Sequence, residues 1–231
     1  MRRVFGVLRV VAAAAIIAAI VGQFAKSLSM VPDPAAFVVN FFSFFTILSN
    51  AVAAVVLLVG AGYAFRRASD PPLFDLVRAS ATTYMATTLV VYNLLLRGIS
   101  LDQATTLPWS NEILHVWAPL YLVVDWLFAP GRGRIDWNRF WWIAVFPIVW
   151  VVYTMIRGAI VGWYPYPFLN PEVSPGVGYG GVAVYVIAIA AFILLVGAGV
   201  VGVSRLGGRR AGEPAGGDAI DGDRAVTTTA G

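Results

Sequence analysis

The sequence predicts an all-α fold: a polytopic membrane protein, a bundle of six transmembrane helices with both termini on the cytoplasmic side. Three observations predict it. Of the 231 residues, 59% are hydrophobic and only 12% charged, about half the charge fraction of an ordinary soluble domain. The apolar residues gather in six runs, each close to the ~20 residues that a helix needs to cross the hydrocarbon core, where every backbone N–H and C=O must be satisfied within the segment. Thirteen of the sixteen Lys and Arg residues fall in alternate connections, the asymmetry of the positive-inside rule.

The first run, Val4–Phe24, follows Arg2 and Arg3 and so has the outline of a signal peptide. Its apolar stretch is long, and Gln23-Phe24-Ala25-Lys26 offers no small-x-small cleavage pattern, so it is read as a permanent span. The second run, Phe37–Phe65, carries Ser43, Thr46 and Asn50 at i, i+3, i+7, on one face of a continuous helix. The third, Asp75–Leu96, closes on Asn93 and Arg97 at i, i+4. Trp109–Phe128 is the fourth, with Glu112 and His115 in its outer half and Asp125 near its inner end. The fifth, Phe140–Ile160, has Tyr153 and Arg157 toward its outer end, and the sixth is Gly180–Val203. Residues 1–205 thus form one transmembrane domain. The tail, 206–231, is rich in Gly, Ala, Asp and Thr, lacks aromatics, and is expected to be disordered.

Arg2, Arg3 and Arg9, then Arg66, Arg67 and Arg78, then Arg132, Arg134 and Arg139, and finally Arg205, Arg209, Arg210 and Arg224 make up the larger basic set. Lys26, Arg97 and Arg157 are left for the other side. The net charge of +4 therefore reflects topology, and nucleic acid is not the expected partner. With no cysteine and a single histidine, disulfides, thiolate catalysis, Cys-ligated metal, bis-histidine haem and the H-E-x-x-H zinc site all drop out. No G-x-S-x-G, Walker loop or G-x-G-x-x-G unit is present. Neither a metal nor a cofactor is expected.

Most intramembrane polar residues have a sufficient structural explanation. Thr46 can return its hydroxyl to the i−4 carbonyl, Asn50 can join two helices, and Asp125 can pair with a cytoplasmic-side arginine. Arg97 and Arg157 can snorkel to headgroups, and Glu112 can sit in the interface. His115 is harder to dismiss, because an ionisable residue deep in a span is costly and usually faces a cavity or another helix. At a rise of 1.5 Å per residue, Thr46 and His115 both lie roughly 10 Å below the outer boundary. They are expected to approach within about 5 Å, where neutral His115 could take the proton of the Thr46 hydroxyl. Asn50, Asn93, Arg97, Glu112, Tyr153 and Arg157 are the expected substrate-binding groups: donors to an oxyanion, a partner for the imidazole in Glu112, and a carboxylate site at the two arginines.

Phe41-Phe42-Ser43-Phe44-Phe45-Thr46-Ile47-Leu48-Ser49-Asn50, His115 with Pro119 and Asp125 after it, and Tyr166-Pro167-Phe168-Leu169 together resemble a known family. It is the androgen-induced gene and androgen-dependent TFPI-regulating protein family, with its bacterial "Pr-six-Pr" membrane relatives the more similar branch. The resemblance covers about Phe37–Pro171. It implies a six-helix intramembrane threonine hydrolase that cleaves fatty acid esters of hydroxy fatty acids, with Thr46 as nucleophile and His115 as base. Two departures accompany it: the step from His115 to its proline is one residue shorter, and the asparagine after Thr46 is shifted by one. The expected function is hydrolysis of a membrane lipid, a fatty acyl ester. The alternative is a non-enzymatic protein that binds a lipid or amphiphile in the same cavity, or a proton-coupled carrier.

Overall fold

The computed structural model describes residues 1–99, 105–173 and 178–207, and these are helical with no strand. In chain order the α-helices are α1 (Arg2–Leu28), α2 (Pro34–Phe41), α3 (Phe45–Arg66), α4 (Pro72–Val91), α5 (Pro108–Glu112), α6 (Ala118–Phe128), α7 (Trp142–Val161) and α8 (Gly178–Gly207). A π-helical turn, Tyr92–Leu96, extends α4, and another, Ile113–Trp117, joins α5 to α6. The expected tail lies outside the described residues beyond Gly207.

Four helical segments are long and apolar enough to cross a membrane: Arg2–Leu28, Phe45–Arg66, Trp137–Val161 and Gly178–Leu206. Of the two remaining rods, 72–96 holds Asp75, Arg78 and four buried threonines in α4, and 108–128 is divided by a π turn into short α-helices. α1 shows how sorting works in this chain. Its buried stripe, Gly6, Arg9, Ala13, Ile16, Ala19, Gln23 and Ser27, recurs at steps of three and four. Val4, Val7, Val11, Ile17 and Val21 point outward and are exposed. Apolar residues outside and polar ones within are the arrangement expected of a helix facing hydrocarbon. α1 packs on α3, where Gly60 meets Arg9 and Gly6 meets the Phe65 ring, small residues that allow close approach.

Cross-links fix the helix directions. At one end Arg9 of α1 meets Gly60 of α3 and Asp125 of α6, and Arg205 of α8 donates to the Ile135 carbonyl. At the other end Gln23 of α1 donates to the Thr105 carbonyl and Arg157 of α7 to Asn40 Oδ1. Successive rods therefore alternate in direction, and the first and last described helices have their chain-terminal ends at the arginine end.

That end is built on a buried chain of charges. Arg9 Nε donates to Asp125 Oδ1 at 2.8 Å and Arg78 Nε to Asp125 Oδ2 at 3.0 Å. Arg78 also reaches Asp70 at 3.2 Å, and Asp70 pairs in turn with Arg2. Arg9 and Arg78 are each only 1% exposed, so these two members of the basic set face the interior rather than headgroups. Gly131, at φ +102°, lets the chain turn against the Arg2 guanidinium where a Cβ would collide with it.

The second apolar run is not one helix, as the sequence suggested, but two. α2 begins on Asp33, whose carboxylate accepts from the N–H groups of Ala35 and Ala36, with Pro34 at the first helical position. It stops at Phe41. Ser43 Oγ donates back to the Val39 carbonyl at 2.8 Å and lies 3.0 Å from Tyr153 Oη, while Trp150 Nε1 donates to the Ser43 carbonyl at 2.9 Å. These partners replace the helical ladder across the break. Since α3 restarts at Phe45, Ser43 is out of register with Thr46 and Asn50, and the expected single polar face is divided.

Candidate functional site

The break gives Thr46 its setting. As the second residue of α3 it has no i−4 carbonyl within its own helix, and its backbone N–H is one of the unpaired donors at a helix start. Tyr166 supplies what is missing: its Oη accepts the Thr46 N–H at 3.3 Å and lies 3.3 Å from Thr46 Oγ1. The Tyr166 ring is buried against Phe44, Trp150 and Phe168. Burial raises the pKa of this phenol, so it keeps its proton. With its oxygen already accepting, that proton is available to Thr46 Oγ1, and the threonine's own proton is free to turn elsewhere.

His115 sits in the π turn Ile113–Trp117. Pro119, four residues on, has no N–H to return to the His115 carbonyl, and the Ala118 N–H reaches back to the Ile113 carbonyl instead. His115 Nδ1 donates to the Asn111 carbonyl at 2.9 Å. That bond selects the Nδ1–H tautomer and leaves the lone pair on Nε2, which has no hydrogen bond among the described residues. The imidazole stacks on Tyr92, ring centres 3.9 Å apart and planes at 26°. Tyr92 opens the other π turn, where the Arg97 N–H donates to the Tyr92 carbonyl at 2.7 Å. Asn111 Nδ2 donates to Tyr92 Oη, closing the group. Two widened turns on neighbouring rods thus present one aromatic–imidazole pair.

Thr46 and His115 line one chamber of about 340 Å³, with Tyr92, Tyr166, Asn111 and Ser110 among its walls. A second cavity of about 170 Å³ lies among α4, α7 and α8, lined by residues such as Phe45, Pro147, Val151, Leu169 and Ile189. Thr46, Tyr92, Leu96 and Tyr166 belong to both linings. The sequence-chosen pair therefore shares a chamber, and Thr46 alone of the two also lines the apolar cavity. No direct hydrogen bond joins Thr46 to His115; the threonine is held by Tyr166.

The other sequence-chosen residues lie around these cavities without lining either. Asn50, fully buried, donates through Nδ2 to the carbonyls of Thr46 at 2.9 Å and Leu114 at 3.0 Å, so it ties the helix of Thr46 to the turn that carries His115. Asn93 Oδ1 accepts from Arg97 Nε at 2.8 Å, and Arg97 pairs with Glu112 at 3.2 Å across the outside of the two rods. Glu112 thus faces an arginine, and the Asn111 carbonyl takes the orienting role toward the imidazole. Tyr153 is engaged by Ser43 and Arg157 by Asn40, both bonds joining α7 to the broken helix. Tyr92 and Asn111 went unnoticed in the sequence, and Tyr166 appeared there only within a motif, with no role. Asn111 had one legible signal: it lies four residues before His115, within reach of a helical back-bond.

No protein family, curated protein or solved structure matches this chain.

Proposed function

We propose that this chain is a six-span protein of the cell membrane, both termini cytoplasmic, that hydrolyses a fatty acyl ester with Thr46 as nucleophile and His115 as general base. The observation that carries the reading is the shared wall: Thr46 and His115 line one chamber, and Thr46 also lines a neighbouring apolar cavity suited to an acyl chain. The resemblance to the intramembrane threonine hydrolases agrees with it. For topology, the support is the alternation of the rods and the surplus of arginine at one end: Arg66, Arg67, Arg134 and Arg139 against Lys26, Arg97 and Arg157 at the other.

In the proposed cycle His115 Nε2 takes the proton of Thr46 Oγ1 as that oxygen adds to the ester carbonyl. The oxyanion forms near the start of α3, where Tyr166 Oη and the positive end of the helix dipole supply the stabilising charge. Collapse breaks the bond to the alcohol, whose oxygen receives the proton from His115. Water then repeats the sequence on the acyl-threonine, releasing the carboxylic acid and restoring the hydroxyl.

A fluorophosphonate probe tests this directly: covalent labelling of the wild type that disappears in both Thr46→Ala and His115→Ala is the expected result. One observation favours a second reading, binding without turnover: Thr46 is hydrogen-bonded to Tyr166 and not to His115. Absence of labelling and of ester turnover across acyl lengths selects that reading.

A further inference from the structure

The chamber's chemistry bears on the alcohol half of the ester. Around it stand Thr46, Tyr92, Ser110, Asn111, His115 and Tyr166, all able to donate or accept hydrogen bonds, and no Asp, Glu, Lys or Arg lines it among the described residues. The two arginines nearest in chain terms are already committed, Arg97 to Asn93 and Glu112, Arg157 to Asn40. An ionised group brought into such a space would lose its hydration with no opposite charge to meet it, whereas a buried hydroxyl needs only a hydrogen-bond partner. Partners for hydroxyls are present. His115 Nε2 and Asn111 Oδ1 have lone pairs that meet no donor among the described residues, and Ser110 Oγ donates to the Ala19 carbonyl at 2.8 Å and still can accept.

The apolar cavity complements this. Thr87 and Thr88 turn their hydroxyls to other partners, Thr87 to the Thr83 carbonyl at 2.9 Å and Thr88 toward Ser49 at 3.4 Å, so apart from Thr46 and Tyr166 at the wall shared with the chamber, what faces the space is mostly hydrocarbon and aromatic surface. One compartment is built for a chain and the other for a compact polar group. Two long chains would leave the chamber's donors and acceptors unpaired.

We infer that the ligand is a single acyl chain esterified to a small uncharged polyol, a lipid of the monoacylglycerol class. It is not an ester carrying a carboxylate or a phosphate on its alcohol half. The inference rests on the hydrolase reading for its chemistry and on the two cavities for its selectivity, so each is tested separately.

The experiment measures equilibrium binding to the full-length wild type in lipid nanodiscs, using three uncleavable probes of equal chain length: hexadecyl glycerol ether, its phosphate monoester, and hexadecanoic acid. The glycerol ether is expected to bind at least about tenfold more tightly than either anion, the scale of one lost buried polar partner. Asn111→Leu should weaken the ether about tenfold and leave hexadecanoic acid nearly unchanged, with the melting temperature as folding control. Equal or tighter binding of the phosphate or the acid by the wild type overturns the inference, as does failure of the ether to saturate. Neither result depends on turnover. Ether selectivity without fluorophosphonate labelling upholds the ligand class and removes the hydrolase, and labelling without ether selectivity does the reverse.

Discussion

Asp125→Ala should be among the most damaging single substitutions in the bundle, although it lies at the end remote from Thr46. The carboxylate, 1% exposed, accepts from Arg9 at 2.8 and 3.2 Å and from Arg78 Nε at 3.0 Å, with Arg78 Nη2 at 2.7 Å. Truncation leaves Arg78 with Asp70 at 3.2 Å and the main-chain carbonyl of residue 125 at 2.6 Å. Arg9 keeps only the Gly60 carbonyl at 2.8 Å. Removing one partner of a buried pair costs about 3–5 kcal/mol, a large share of the ~5–15 kcal/mol by which folded domains are stable. Thermal unfolding in detergent, followed by helical circular dichroism, reads the loss. Because the orphaned charge causes the damage, Arg9→Leu combined with Asp125→Leu should recover at least ~2 kcal/mol of it. If Asp125→Ala melts within about 0.5 kcal/mol of the wild type, the carboxylate is not holding these helices together and the reasoning fails.

Thr46→Ala and His115→Ala should each abolish turnover of a chromogenic acyl ester while keeping expression and helix content, since the proposed nucleophile and base serve one step; full turnover by Thr46→Ala refutes the assignment. Tyr166→Phe removes the hydroxyl that holds both the N–H and the Oγ1 of Thr46, and kcat should fall with KM for the chain-bearing ester little changed; an unaltered kcat shows the hydroxyl to be idle. Asn50→Ala breaks the ties to Thr46 and Leu114 and should lower stability by about 1–3 kcal/mol, read from the same melts. Gly131→Ala should cost about 1–3 kcal/mol, because its φ of +102° disfavours a side chain and the new Cβ would displace Arg2; an unchanged melt would mean that the turn relaxes freely.

The helical class and the long apolar runs were legible because lipid forces backbone satisfaction within each segment, and that constraint shows directly as length and hydropathy. Depth was legible too. A rise of 1.5 Å per residue sets Thr46 and His115 at similar depth, and both line one chamber. Rotation about the helix axis was less accessible. The face assigned to Ser43, Thr46 and Asn50 presumed an unbroken helix, and the partners that break it, Trp150 and Tyr153, come from about a hundred residues along the chain. Arg97 and Arg157, which the sequence leaves as snorkelling residues or a carboxylate site, meet Glu112 and Asn40. Tertiary partners of that kind leave no periodic trace in one sequence.

The two π turns also change how this chain has to be measured against others. A π turn holds one residue more than the α-helical turn it replaces, so losing that residue closes the turn and leaves both ends of the rod where they were. Motif spacing across Tyr92–Leu96 or Ile113–Trp117 can thus change by one while the membrane depth of Tyr92 and His115 scarcely moves. For a bundle of this kind, height above the bilayer midplane is a steadier ruler of correspondence than residue count, and single-residue insertions and deletions should be best tolerated at these two turns.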